Sequence, residues 1–296
     1  MLGLDPGVVS SGVVLATALI AALISGAIGY GFSTLLVPVA LLYFASRVLN
    51  PGLVVAEIAL NLLGLWLNRR VLPRVFRRML PMIVASIPGI VLGVWVLDIA
   101  RADVLRFGTY VVLLPLVLLQ TAGLRRPMKA GSKAELPLGF GIGLLYSTTT
   151  ISGPPLALLF SNQGLAQDEF RASLSLFRVV ESVATAIAYV SLGLYSPASQ
   201  RVALLILPCI VIGVPLGRLL IAKIDAELFR RLCMALDAWL ISFGLSRWML
   251  AERAAIARFA YVPFFVVILL DAILLYRFMA ARRRSVVSPS SDGPMQ

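Results

Sequence analysis

The sequence predicts an all-α polytopic membrane protein of two inverted repeats, each a broken re-entrant segment plus three transmembrane helices, with one extra C-terminal helix. Three observations carry this expectation. Of the 296 residues, 60% are hydrophobic and only 14% charged, a composition outside the range of water-soluble domains. The apolar residues fall into runs of bilayer length, seven plain and two interrupted. The landmarks of the first half then recur, in the same order, in the second.

The first interrupted run covers 12–44. As one straight helix its 33 residues would reach about 50 Å, against a hydrocarbon core of about 30 Å. It must bend or break, and Gly26, Gly29, Gly31, Ser33, Thr34 and then Pro38 mark where. Glycine admits left-handed backbone, and the hydroxyls can satisfy freed backbone groups. Plain spans follow at 53–67, 79–97 and 104–123. The second interrupted run, 136–160, contains Ser-Thr-Thr-Thr-Ile-Ser-Gly-Pro-Pro at 147–155. Two consecutive prolines are expected to push Gly153 and Pro154 out of the α region, with a half-helix beginning near Pro155. Backbone broken at membrane depth persists only where protein or a water-filled cavity satisfies it, and the N-terminal end of a half-helix attracts anions. Spans at 172–192, 202–222, 232–250 and 259–280 complete the series.

Charge and composition narrow the function. The net charge of +12 resides in short basic clusters beside the spans, notably 68–78 and 125–133, which the positive-inside rule places in the cytoplasm; anionic lipid, not nucleic acid, is the expected contact. With both interrupted runs re-entrant, 16 Lys and Arg residues fall inside and 6 outside; with both crossing fully, the division is 13 to 9. The hairpins give the stronger asymmetry. Histidine is absent and the cysteines, Cys209 and Cys233, stand alone in separate spans. His- or Cys-type metal sites and cofactors held that way are therefore not expected, and both thiols should be free. The N-terminus lacks the features of a cleaved signal peptide.

The duplication can be aligned. Gly89, Gly93, Asp103 and Arg106 each precede Gly213, Gly217, Glu227 and Arg230 by 124 positions. Aligning Pro38 with Pro155, an offset of 117, places Gly26 on Gly143 and Asn61 on Arg178. The expected division is a first repeat over 1–123, a second over 124–250, an additional helix over 251–284 and a disordered tail over 285–296.

Charged residues inside spans are costly and usually paired or functional. Glu57 and Asn61 lie one turn apart on one face, as do Arg178 and Glu181. Arg178 needs a carboxylate, from Glu181 or Glu57, or a bound anion. The expected substrate site uses Ser33, Thr34, Asn61, Thr149, Thr150, Ser152, Gly153 and Arg178. Glu57, Glu181 and Asp237 are the protonatable candidates for ion coupling. Asp271 pairs with Arg277 or marks a homodimer surface, and Arg218 is expected to snorkel. No enzymatic activity is expected, because the carboxylates stand singly; a lipid-modifying membrane enzyme is the weaker alternative and a passive anion channel the stronger one.

The glycine-rich break followed by proline, the Ser/Thr-Gly-Pro break in the second half and the Gly-x-x-x-Gly of each half together resemble the TauE/SafE family of sulfite and organosulfonate exporters, over about 12–250. The first break is poorer in glycine than the family pattern, and the last span is an addition to its eight-segment core. The resemblance implies a secondary transporter of small sulfur-containing anions, multi-pass in the cell inner membrane.

Overall fold

The computed structural model describes residues 6–122, 135–163, 165–221, 226–252 and 259–287. The basic loop 125–133, Lys223, Arg253, Arg258 and the tail from 288 fall outside this set, as do the side chains of Glu227 and Arg230. The described residues form eleven α-helices and no strand: α1 (Pro6–Ile28), α2 (Phe32–Ala40), α3 (Ser46–Leu67), α4 (Leu72–Ile99), α5 (Ala102–Thr121), α6 (Glu135–Thr149), α7 (Gly153–Asn162), α8 (Gln167–Ser191), α9 (Pro197–Ile221), α10 (Ala226–Glu252) and α11 (Val262–Val287). Cys209 and Cys233 are free and buried.

Both interrupted runs are broken helices, α1 to α2 across residues 29–31 and α6 to α7 across 150–152. At 1.5 Å per residue the 23 residues of α1 extend about 34 Å, enough to cross the hydrocarbon core, and the 15 described residues of α6 extend about 22 Å. Among the described residues seven helices are long and apolar enough to cross a membrane: α1, α3, α4, α5, α8, α9 and α11. Helix α10, expected as a plain span over 232–250, is not among them. Arg230, Arg231, Asp237 and Arg247 interrupt its hydropathy.

The element order of the first half recurs in the second, with an offset the prolines misplace. The breaks, at 29–31 and 150–152, are 121 positions apart, and so are the first residues of α2 and α7. Pro38 lies midway along α2 whereas Pro155 is in the first turn of α7, so the two are not equivalent. Close packing confirms the 121 offset. Gly93 of α4 lies against the carbonyl of Leu144 in α6, and Gly217 of α9 lies against the carbonyl of Leu23 in α1. Gly26 is therefore level with Ser147, and Gly143 with Ala22. From α3 onward the 124 offset holds, so Glu57 matches Glu181 and Asn61 matches Thr185, not Arg178.

Helix contacts are reciprocal between halves. Helix α4 packs on α6 as α1 packs on α9, α3 on α9 as α8 on α4, and the matched pairs α3 with α8 and α5 with α10 pack on each other. Within the pair at the centre, Gly64 near the end of α3 meets Ser175 near the start of α8, while the Tyr195 hydroxyl, just past α8, reaches the Pro51 carbonyl near the start of α3. These matched helices run antiparallel. Helix α11 packs mainly on α10 and exposes most of its length, with Asp271 turned inward and buried.

Candidate functional site

The two breaks touch. A Cβ built on Gly153 would lie 3.5 Å from the Tyr30 ring and 3.8 Å from the Gly31 nitrogen. In the first break Gly29 and Gly31 take φ of 93° and 100°, values open to glycine at little cost. In the second, Thr150 occupies φ 59°, rare for a β-branched residue and worth about 1–3 kcal/mol of strain. The surroundings hold it there. Thr150 donates its N–H to the Tyr146 carbonyl and its hydroxyl to the Thr149 carbonyl (2.6 Å), while Thr149 Oγ1 accepts the Ile151 N–H (3.1 Å).

The orphan carbonyls at the ends of the first arms are also satisfied, as burial requires. Asn50 Nδ2 donates to the Thr148 carbonyl at 2.6 Å, the Tyr189 hydroxyl donates to the Ser147 carbonyl, and Arg171 Nη2 donates to the Ala27 carbonyl at 2.6 Å. The second arms start differently from expectation. Helix α7 begins at Gly153, so both prolines stand inside its first turn, where a missing N–H costs nothing. Leu156 N–H already bonds the Ser152 carbonyl at 3.2 Å. Gly153 is thus the one first-turn donor α7 offers, whereas α2, with no proline in its first turn, offers the N–H groups of Phe32, Ser33 and Thr34.

A buried polar cluster sits on these tips. Arg178 Nη2 is 2.6 Å from Glu57 Oε1 and 3.4 Å from Ser33 Oγ, which itself donates to Glu57. The Tyr146 hydroxyl donates to Glu57 Oε2 at 2.7 Å and lies 2.7 Å from Ser182 Oγ, which is bonded to the Arg178 carbonyl. Ser152 Oγ donates to Glu181 Oε2 at 2.7 Å. Each half therefore contributes a serine to its own glutamate, Ser33 from the start of α2 and Ser152 from the second break, and the guanidinium is one-sided, because Val54 stands at the matching position of the first half. Arg178, Glu57 and Glu181 are each at most 1% exposed. Arg178 Nε and Nη1 and Glu181 Oε1 have no partner among the described residues.

A family profile, the sulfite exporter TauE/SafE, matches residues 14–243. The chain belongs to the TauE/SafE family. The match runs from α1 into α10 and leaves α11 outside, in keeping with that helix's peripheral packing. No curated protein and no solved structure matches the chain. Membership of a transporter family, with seven apolar helices of spanning length, makes this a membrane transport protein.

In this TauE/SafE protein the residues singled out from sequence separate into groups. Ser33, Ser152, Glu57, Arg178 and Glu181 come together, and Thr34 and Gly153 flank them at the helix starts. Thr149 and Thr150 hold the second break through backbone bonds. Asn61 is buried in a neighbouring cavity beside Arg171 and Arg218. Asp237 is buried on α10, which packs on α5, α11 and α2 rather than on α3 or α8. Arg178 pairs with Glu57, and Arg218 lines that cavity instead of only snorkelling. Tyr146 and Ser182 were missed. Ser182 is one turn beyond Arg178, a signal available in the sequence, whereas Tyr146 reads as part of an apolar run.

Proposed function

We propose that this protein is a secondary transporter of small sulfur-containing anions such as sulfite or organosulfonates, ion-coupled and resident in the cell inner membrane. Its substrate is held where the two breaks meet. The observation that carries this reading is the buried guanidinium of Arg178, which bonds Glu57 through one nitrogen and leaves two others unpartnered among the described residues beside the helix starts. Family membership supplies the substrate class. The oxygens of a pyramidal or tetrahedral anion would accept from Arg178, from Ser33 and Ser152, and from the first-turn N–H groups of α2 and Gly153. Reciprocal contacts and the antiparallel run of α3 against α8 support two repeats of opposite orientation; the stronger charge asymmetry of the hairpin arrangement supports re-entrant arms.

Charge arithmetic supports ion coupling. One guanidinium and two carboxylates, all ionised, sum to −1 in a site removed from water, where an added anion would be strongly repelled. A proton or other cation must enter with the anion or leave as it departs, which ties the two movements together.

The test is the affinity of the purified protein for sulfite, with its melting temperature, across variants of Arg178. Arg178→Lys keeps the charge but loses the planar fork and should bind about tenfold more weakly; Arg178→Gln, losing charge-assisted bonds of about 1.5–3 kcal/mol each, should not bind measurably. If the guanidinium serves only to neutralise Glu57, Arg178→Gln will instead melt early and Glu57→Gln will restore it. A well-folded Arg178→Gln protein with unchanged affinity removes Arg178 from the site.

A further inference from the structure

A second polar feature lies beside the central cluster. Two cavities share Leu67, Asn68 and Arg218. The outer one, of about 280 Å³, opens beside Arg69, Arg70 and Asp168. The inner one, of about 40 Å³, extends past Arg171, Asn61 and Ser175 to Gly29, the first residue of the α1 break. Asn61 is one helical turn from Glu57, so the inner cavity ends next to the central cluster. Four guanidinium groups line the pair against one carboxylate, Asp168, which forms no ion pair among the described residues.

Two donors here are unemployed. Arg218 is half-buried on α9, with no hydrogen bond or ion pair among the described residues. Asn61 Nδ2 is buried, in a residue 4% exposed, and has no partner among the described residues. A structural role alone would explain Arg171, which closes the end of α1 through the Ala27 carbonyl. It does not explain Arg218. The matched position in the other half is the buried Val94, and the match to Arg171 is Arg47, whose guanidinium is occupied by the carbonyls of Leu97, Asp98 and Ala100. Among the described residues the basic cavity is thus not reproduced at the matched positions of the other half; it lies at the end that carries the arginine-rich turn after α3.

We propose that this cavity is a second oxyanion site, an antechamber in which Arg218, Asn61 and Arg171 hold an anion before it passes the α1 break to Arg178. The inference rests on the central site being an anion pocket. Its ligand carries a small sulfur or phosphorus oxyanion, and the arrangement concentrates that anion on the basic face, where the positive-inside rule puts the cytoplasm. A charged donor flanked by a neutral amide and a second guanidinium gives charge-assisted bonds, and among the described residues no carboxylate is bonded to these guanidinium groups as Glu57 is to Arg178.

The experiment is equilibrium binding of radiolabelled sulfite, under anaerobic conditions, to the full-length protein in phosphatidylcholine nanodiscs. The unmodified protein should bind two equivalents. Arg218→Gln and Arg218→Glu should each lose one, weakening that site more than about tenfold, Arg218→Lys should retain it, and Arg178→Gln should lose only the other. Two equivalents in both Arg218→Gln and Arg218→Glu would overturn the antechamber and leave the central reading standing. Loss in Arg218→Gln with none in Arg178→Gln would do the reverse. If sulfite binds once but phosphatidylglycerol is retained by the unmodified protein and released by Arg218→Gln, the oxyanion site stands with a lipid headgroup as its ligand. One equivalent and no lipid retention would overturn it.

Discussion

Arg178 lies between two matched carboxylates and bonds only one of them. That asymmetry makes Glu57 and Glu181 separable by substitution, because glutamine keeps the shape and much of the hydrogen bonding while removing titration. Glu57→Gln or Glu181→Gln should abolish proton-driven accumulation of sulfite in vesicles while leaving sulfite-for-sulfite exchange intact; accumulation undiminished in both variants would place the coupling group elsewhere. The three charged residues were legible in the sequence, since an ionised side chain in an apolar run stands out. Their pairing was not. Spacing of three along α8 brings Glu181 onto the face of Arg178, but the crossing of α3 and α8 brings Glu57 to 2.6 Å, and a crossing is decided by packing across the whole interface. Tyr146 was invisible for another reason: a tyrosine at the end of an apolar run reads as packing until its hydroxyl is seen between Glu57 and Ser182.

At the scale of elements, the glycines explain how the broken arms are held. Gly89 and Gly93 let α4 approach the backbone of α6, and Gly213 and Gly217 let α9 approach that of α1, each leaving no room for a Cβ. Such close approach through small residues is how helices associate where lipid competes for apolar contact. Gly93→Ala and Gly217→Ala should each destabilise by about 1–3 kcal/mol through overpacking against a carbonyl, read as an earlier melting transition. Gly108→Ala, with open space around it, should not lower the transition. Equal melting of all three variants would show that these helices do not meet as described. The Gly-x-x-x-Gly pairs, most spans and both breaks were legible because period and punctuation are local. The start of α7 was misjudged because prolines that stop one helix are also compatible with the first turn of the next.

For the whole molecule, the reciprocal contacts and the antiparallel pairing of α3 with α8 define a duplicated architecture, whose proposed inversion has a direct consequence. Cysteines introduced at positions 48 and 165 should label from opposite sides of the membrane in intact cells, position 48 from outside; labelling of both from one face contradicts the inversion. Repeats meeting at a central site are a common construction of secondary transporters, but the duplication was only partly legible, because two offsets, 121 and 124, apply to different parts of the chain. The central claim is that a small sulfur oxyanion crosses through the junction of the breaks by a carrier mechanism. Counterflow tests it most directly. Proteoliposomes loaded with excess unlabelled sulfite and diluted into trace labelled sulfite should show a transient internal overshoot of label, absent with Arg178→Gln and with acetate in place of sulfite. Equilibration without overshoot, or an overshoot that survives Arg178→Gln, would contradict it.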